Sequence, residues 1–411
     1  MADDFARIGQ MIDKYRSDII ELERLLTSIP ALAPESDGEG ELRKAEALKK
    51  YLAKAGFPQP QEYHAPDKRV PDGIRPNLVY RISGTDPSRT VWIMAHTDVV
   101  PPGDLSKWNG DPYALRVEGD RIFGRGVEDN QHGLVAAVFA AKSLIDTGVK
   151  PKNNVGLLFV GDEEVGSKFG IDYVLEHHGS IFKRDDLIIV PDSGAPDGKP
   201  IEIAEKSIIW LRVETTGKQC HASRPDQGVN AFAAASKLAA KIHALYNVFD
   251  HRDKLFDPPY SSFEPTKKEA NVPNVNTIPG DDVFYIDCRV LPKYKLTEIE
   301  SLIRKWADEI EAGENVKIKL SPVQRAEAAP PTPADAPVVE ALKRAIRQVY
   351  KVEAYVEGIG GGTVAALFRR RGYPVAVWSR IHETAHQPNE YTDVPFIIGD
   401  AKVFAHVFLG A

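Results

Sequence analysis

Cysteine is scarce. Cys220 and Cys288 are the only two in 411 residues, so at most one bridge can form. A disulfide framework is excluded, and a reducing cytoplasm is the expected setting. Long apolar runs are missing too: the longest, Leu134 to Ala141, falls far short of the roughly 20 residues a membrane span needs. Positive charge is not in surplus. Fifty-two basic side chains stand against 59 acidic ones, a net −7, and no basic block marks a nucleic-acid surface. The opening stretch MADDFARIGQMIDKYRSD carries acids where a secretory signal has an apolar core, so no signal is expected. No internal repeat or low-complexity tail is visible. These absences leave a soluble cytoplasmic protein, 43% hydrophobic and long enough for two domains with substantial cores.

The hydrophobic pattern then sets the architecture. Phe5, Ile8, Ile12, Tyr15, Ile19 and Leu22 recur every three or four residues and predict a helical segment ending before Pro30. Leu42, Ala45, Leu48 and Leu52 predict another, stopping at Gly56. From about residue 77 the period changes. NLVYRIS, TVWIMAH, NVGLLFV and DLIIV are short strand-like runs bounded by turn residues, with the helical HGLVAAVFAAKSLIDTGV among them. Such alternation predicts an α/β sheet with helices on its faces.

Beyond residue 205, SIIWLRVET, DVFYIDCRV and VKIKLS read as strands, and NAFAAASKLAAKIHALY and LTEIESLIRKWADEI as helices. An extra strand near 276–278 would complete a four-stranded sheet backed by two helices. A polar, proline-containing insert, 257–273, interrupts it, and EAAPPTPADAP (327–337) reads as a stiff linker. Afterwards the alternation resumes with VVEALKRAIRQVY, TVAALFRRRG, YPVAVWS and a closing helix. The expectation is one α/β domain, residues 1–204 and 325–411, with a second domain, 205–324, inserted into it.

Ligands of open α/β sheets bind beyond the carboxyl ends of the strands. TVWIMAHTD ends in His96 and Asp98, NVGLLFVGDEE in Glu163 and Glu164, and DLIIVPDSG in Asp192. YPVAVWS is followed by His386, and Asp129 precedes the long helix. Each alone has a plain structural explanation: a hydrogen-bonded histidine, solvated loop charges, a helix N-cap or an Asx-turn. Gathered at one sheet edge they form a constellation. Two imidazoles with three or four carboxylates suit zinc, with cobalt or manganese as substitutes. His96 and Asp98, two apart in a strand, share a face, so the carboxylate can accept the imidazole's second N–H. Adjacent Glu163 and Glu164 point different ways, so one can bind metal while the other addresses a water. HETAH (382–386) also matches the zincin pattern H-E-x-x-H. It follows a strand, however, with Pro388 close behind and no Glu beyond Glu390, so His382 is read as incidental.

The segments MAHTDVVPPGDLSKWNGDPY, GRGVEDNQHG, GDEEVGS, PDSG, GKQCHASRPDQGVNA, NTIPG, DCRVLP and HQPNEY occur in that order. In this the chain resembles the co-catalytic zinc metallopeptidases that include succinyl-diaminopimelate desuccinylase, acetylornithine deacetylase, aminoacylase, glutamate carboxypeptidase and related dipeptidases. The resemblance spans nearly the whole chain. It implies a catalytic domain with a mixed sheet and flanking helices, and an inserted α+β, ferredoxin-like lid through which the protein forms a homodimer.

By the same resemblance, His96, Asp129 and Asp192 would hold one zinc, and Asp129, Glu164 and His386 a second, with Asp129 bridging. Glu163 would be the general base and Asp98 the partner of His96. A cis peptide bond is implied between Asp129 and Asn130. His221 of the lid would reach the active site of the other copy. Arg289 and Asn276 would grip a substrate carboxylate, Arg being suited by its planar fork. GIGGGT (358–363) lacks the lysine of a phosphate loop, but the N–H groups around Gly361 and Thr363 could hold such a carboxylate. Many relatives carry an Asp soon after this Thr, where this chain has Val364 and Ala365. A Cys220 nucleophile is discounted, and His64, His177, His178, His243, His251 and His406 are read as structural.

The implied activity is hydrolysis of the amide of an N-acyl amino acid, with a metallo-dipeptidase or carboxypeptidase as the alternative on the same residues. A non-enzymatic binding module would be favoured by loss of Glu163 or a ligand, and none is lost.

Overall fold

The computed structural model describes residues 2–410 and divides the chain into two compact units. The first is made of Met1–Ile203, Thr332–Val356 and Leu367–Ala411, and the second of Ala204–Pro331 with Glu357–Ala366. Relative to the 205–324 insertion read from the sequence, the second unit runs on to Pro331 and takes in a further segment. The stretch read as a linker is largely exposed but anchored at points along it. Ala329 and Thr332 are buried, and the Thr332 hydroxyl donates to the Val375 carbonyl at 2.7 Å.

The first unit is built on an eight-stranded sheet in the order Gln61–Glu62, Leu78–Ile82, Asn153–Val160, Asp86–His96, Leu187–Gly194, Val375–Ser379, Pro200–Glu205 and Tyr355–Ile359. From Asn153–Val160 to Val375–Ser379 the neighbours run parallel, while Leu78–Ile82 and Pro200–Glu205 pair antiparallel. The sheet is therefore mixed. Parallel strands covered on both faces carry unbroken apolar runs, and Val91 to Ala95 is buried throughout. The expected N-terminal helix is two, Ala2–Ile12 and Arg16–Thr27, joined by a 3₁₀ turn that keeps the buried stripe of Ile8, Ile12, Tyr15, Ile19 and Leu22 continuous.

Helix Gln131–Thr147 is buried on nearly every side and ends at Gly148 in the left-handed region. Its first turn lies hard against the strand that ends near Asp192. A Cβ on Gly133 would sit 2.4 Å from the Pro191 ring and 2.8 Å from its carbonyl oxygen. Glycine thus lets the segment bearing Asp129 reach the sheet edge.

The second unit has a four-stranded antiparallel sheet in the order Ser262–Lys268, Asp281–Val290, Ser207–Thr216, Lys317–Ala326. Helices Ala231–Ile242 and Leu296–Glu314 cover one face. With the chain order strand–helix–strand–strand–helix–strand, this is the ferredoxin-like arrangement expected. Asp281–Val290 alternates buried and half-exposed residues as a one-faced strand should, and Ile209, Leu211, Val213, Ile286 and Cys288 pack beneath the helices. One strand differs from expectation. The edge strand Ser262–Lys268 lies inside the segment read as an insert, and Thr277–Ile278 pairs with Cys220–His221 in a separate ribbon. Cys220 and Cys288 are both free thiols. Among the described residues no helix is long and apolar enough to cross a membrane.

Candidate metal centre

The parallel strands of the first unit end side by side, and each delivers part of one cluster. His96 closes Asp86–His96. Glu163 and Glu164 open a 3₁₀ turn after Asn153–Val160, and Asp192 stands near the end of Leu187–Gly194. His386, at φ 64, lies on the loop after Val375–Ser379. Asp129 arrives from the opposite direction, just before the buried helix, and its peptide bond to Asn130 is cis as the resemblance implied. The Asn130 amide donates to the Pro191 carbonyl at 2.8 Å and to the Asp192 carboxylate, tying the two segments together.

Asp129 lies between two imidazoles, with Oδ1 2.9 Å from His96 Nε2 and Oδ2 3.2 Å from His386 Nε2. Glu164 Oε2 is 3.1 Å from His386 Nε2, and Asp192 Oδ1 is 3.6 Å from His96 Nε2. Donor atoms of His96, Glu163 and Asp192 all lie within 4.8 Å of one another, and so do those of His96, Asp129 and Glu164. In the first set Glu163 occurs where the resemblance implied Asp129. Asp98 does more than face His96. Its Oδ1 is 3.4 Å from His96 Nδ1, and its two oxygens accept the N–H groups of Glu163 (3.1 Å) and Glu164 (3.0 Å). Asp98 therefore sets both the imidazole, whose Nδ1 also meets the Asp98 carbonyl at 3.1 Å, and the paired-glutamate turn.

The electrostatics call for a cation. Burial alone would lower the His96 pKa, but bonds to Asp129, Asp192 and Asp98 outweigh it and hold it well above the ordinary value. Asp129 and Glu164 push His386 up to about 10. Burial raises the Glu163 carboxyl far above its usual range, with Asp192 adding to the effect. Glu164 is raised by burial despite its bond to His386. The carboxylates thus favour positive charge on both imidazoles, the charge that divalent ions would supply among acidic groups that otherwise repel one another. Two imidazoles and four carboxylates, with the two Asp129 oxygens aimed at different histidines, fit a metal-binding group.

A surrounding set of carboxylates was not foreseen. Glu390, fully buried, accepts the N–H groups of Gly126 (3.1 Å), Glu128 (2.9 Å) and Asp129 (3.1 Å) and pairs with Arg125 at 2.5 Å. Glu128, also buried, accepts the N–H groups of His382 and Thr384 and the Thr384 hydroxyl, which fixes the loop leading to His386. HQPNEY contained Glu390, the signal that could have found it. HETAH forms no helix. His382 faces Asp393 at 2.9 Å and stacks on Phe396, away from the cluster's contacts.

In the second unit, His221 is exposed and its Nδ1 accepts the Ser223 N–H at 3.1 Å. Asn276 is exposed and its carbonyl accepts the Ala222 N–H at 2.9 Å, so these two share one ribbon. Arg289 is engaged on every nitrogen: Nε and Nη2 donate to Asp287 (2.8 and 3.0 Å) and Nη1 to the Gly360 carbonyl (3.0 Å). Thr363 donates both its N–H (3.0 Å) and its hydroxyl (2.7 Å) to Glu205. In this structure a carboxylate of the protein occupies that donor pair. Gly361 is half-buried beside it.

A cluster of this composition at the strand ends of an α/β sheet defines a metal-dependent hydrolase. Residues 92–409 match Peptidase family M20/M25/M40, and the chain belongs to that family. It is 40% identical to an uncharacterised metallohydrolase of Methanocaldococcus jannaschii, over 95% of this chain and 98% of the other. It is 28% identical to a succinyl-diaminopimelate desuccinylase of Paracoccus denitrificans, over 87% of this chain and 90% of that one. Among solved structures, human carnosine dipeptidase 1 has the same fold, with a TM-score of 0.74 at 19% identity, covering 98% of each chain.

Proposed function

We propose that the protein hydrolyses the amide bond of an N-acyl amino acid, in the manner of a desuccinylase or deacetylase, using two zinc ions. The observation that carries this is the Asp129 carboxylate, whose two oxygens face His96 and His386. In this reading His96 and Asp192 complete one ion's ligands and Glu164 and His386 the other's. When bound, the ions supply a polarised scissile carbonyl and a water of lowered pKa.

The remaining chemistry belongs to the chain. Glu163 takes a proton from the attacking water and returns it to the departing amine; burial raises its carboxyl, the direction that favours a carboxylate as a proton acceptor. Asp98 holds the Glu163 N–H and the His96 ring, so base and ligand keep one spacing. Arg289 and Asn276 are assigned the carboxylate of the amino acid, with Gly361 and Thr363 following Gly360, whose carbonyl Arg289 holds. The second unit is assigned the dimer contact, and His221 the oxyanion in the site of the other copy. Its Nδ1 is held by Ser223, leaving Nε2 without a partner among the described residues. Two unbridged thiols accord with the cytoplasm.

The test is turnover by zinc-loaded protein of N-succinyl-diaminopimelate, N-acetyl amino acids and dipeptides. An N-acyl substrate should be cleaved, and Glu163→Ala should lose on the order of 10²–10⁴-fold in kcat. Faster cleavage of dipeptides would replace this assignment by the dipeptidase one.

A further inference from the structure

The turn bearing Glu163 and Glu164 has little structure of its own. It is a single 3₁₀ turn, Glu163–Val165, entered through Asp162 at φ 66. Behind it stands Arg75, whose side chain is wholly buried. Arg75 Nε donates to Glu41 Oε2 at 2.6 Å, and Nη2 donates to Glu41 Oε1. Nη1 lies 3.1 Å from Asp162 Oδ1 and 3.4 Å from Asp67 Oδ2. Glu41 in turn accepts the Asp162 N–H at 3.3 Å. Its carboxylate also packs on the backbone of Gly161, where a Cβ would come within 2.6 Å of Glu41 Cδ. The far oxygen of Asp162 accepts the Phe169 N–H at 2.8 Å, and its carbonyl accepts the Ser167 N–H at 2.6 Å.

Three carboxylates around one buried guanidinium is a poor way to gain stability. Desolvation of buried ion pairs commonly cancels their attraction, and an apolar filling serves as well or better. Lys44, one helical turn beyond Glu41 and also buried, adds a second cation to the same region. What the group does achieve is geometric. The planar fork faces the Asp162 carboxylate, and Glu41, locked to the fork, accepts the Asp162 N–H, so the pair holds the residue just before Glu163 by side chain and backbone together.

We infer that Arg75, together with Glu41, is a positioning residue that acts through Gly161 and Asp162 to fix Glu163 and Glu164 against His96 and Asp98. It rests on the reading of Glu163 as base and Glu164 as metal ligand given above. The roles are separable. Loss of the clamp displaces the turn but leaves His96, Asp129 and Asp192 on their own elements, so one metal position should suffer and the other should not.

The experiment uses the full chain with Arg75→Lys, which keeps the charge but not the fork, and Asp162→Asn, which keeps the shape. Cobalt(II) titration followed by visible absorption, amide hydrolysis and thermal melting are measured on each. The first cobalt should bind as in the unmodified protein and the second about 10–100-fold more weakly, the usual cost of losing an orienting partner. By the same reasoning kcat should fall about 10–100-fold, with KM within about twofold. In a Glu163→Ala background, with metal in excess so that both positions are filled, Arg75→Lys should lower the residual rate by less than it lowers the rate of the unmodified protein, because one of the two groups it positions is gone. Asp162→Asn should keep its melting midpoint within about 2–4 °C. If Arg75→Lys does not fold, Asp162→Asn alone decides. Unchanged cobalt binding and unchanged kcat would overturn the inference. Equal weakening of both cobalt ions with a collapsed melting midpoint would overturn it too, since that is the mark of a general stabiliser. If the unmodified protein cleaves no amide, the proposed activity fails by itself, and the cobalt titration still decides the role of Arg75.

Discussion

His96 meets Asp129 across 33 residues and Arg125 meets Glu390 across 265, whereas Arg289 meets Asp287, and His221 meets Ser223, across two. In the first unit the candidate residues are placed by partners that only the folded sheet brings together, and His96, Asp98 and Glu390 are buried. Those of the second unit are less buried, with His221 and Asn276 exposed and Arg289 half-exposed; Arg289 and His221 lean on neighbours two residues away, although Arg289 also reaches Gly360 and Thr363 reaches Glu205. The contrast fits two tasks. Charges that hold metal must be fixed before anything binds, because like-charged carboxylates will not approach one another unaided. The residues proposed to meet a substrate or a second copy rest on a short ribbon or a strand neighbour, a support that leaves room to adjust.

The largest expected effect breaks the contrast at its strongest point. Arg125→Met leaves Glu390 buried without its cation and should cost about 3–5 kcal/mol of stability in urea unfolding. The corresponding change in the second unit, Asp287→Asn beside Arg289, should cost less than about 1 kcal/mol because the pair is partly solvated. Equal costs would mean that the two regions are built alike.

A smaller effect comes from pH. In metal-free protein the His386 imidazole is held protonated to about 10 by Asp129 and Glu164. A raised histidine contributes stability that is complete below its ordinary pKa near 6.5 and disappears as the pH climbs through about 10. Metal must displace that proton, so zinc affinity should rise about tenfold per pH unit for each proton released. Calorimetric titration at pH 7 in buffers of different ionisation enthalpy reads the protons directly. Zero release would contradict the assignment of His386 as a ligand. Smallest of all, Arg289→Lys loses the fork that Asp287 holds, and should raise KM about fivefold with kcat little changed. A fall in kcat alone would move Arg289 away from substrate binding.

Much of this was legible in the sequence where a buried run ends in polar residues. TVWIMAH, NVGLLFV, DLIIV and YPVAVWS became adjacent parallel strands, and their ends carry the cluster. Edges were harder. Ser262–Lys268 contains Pro265 and closes with two lysines, features that protect an edge strand from further pairing and also disguise it as a loop. Pro200–Glu205 and Tyr355–Ile359, also toward a sheet edge, went unread. Within the site, residues of the right chemical type stood out, but those that orient them did not. Glu41, Arg75 and Glu390 find partners 34 to 265 residues away, and no local spacing announces such a pairing. The H-E-x-x-H pattern failed in the opposite sense, because a pattern that depends on a helix says nothing when the segment is a loop.

The most direct test is anomalous diffraction at the zinc edge from crystals of the zinc-loaded protein. Two peaks are expected, one on each side of the Asp129 carboxylate, the first against His96 and Asp192 and the second against Glu164 and His386. A single peak, or zinc held at His382 with Asp129 outside its ligands, would contradict a bridged two-metal centre.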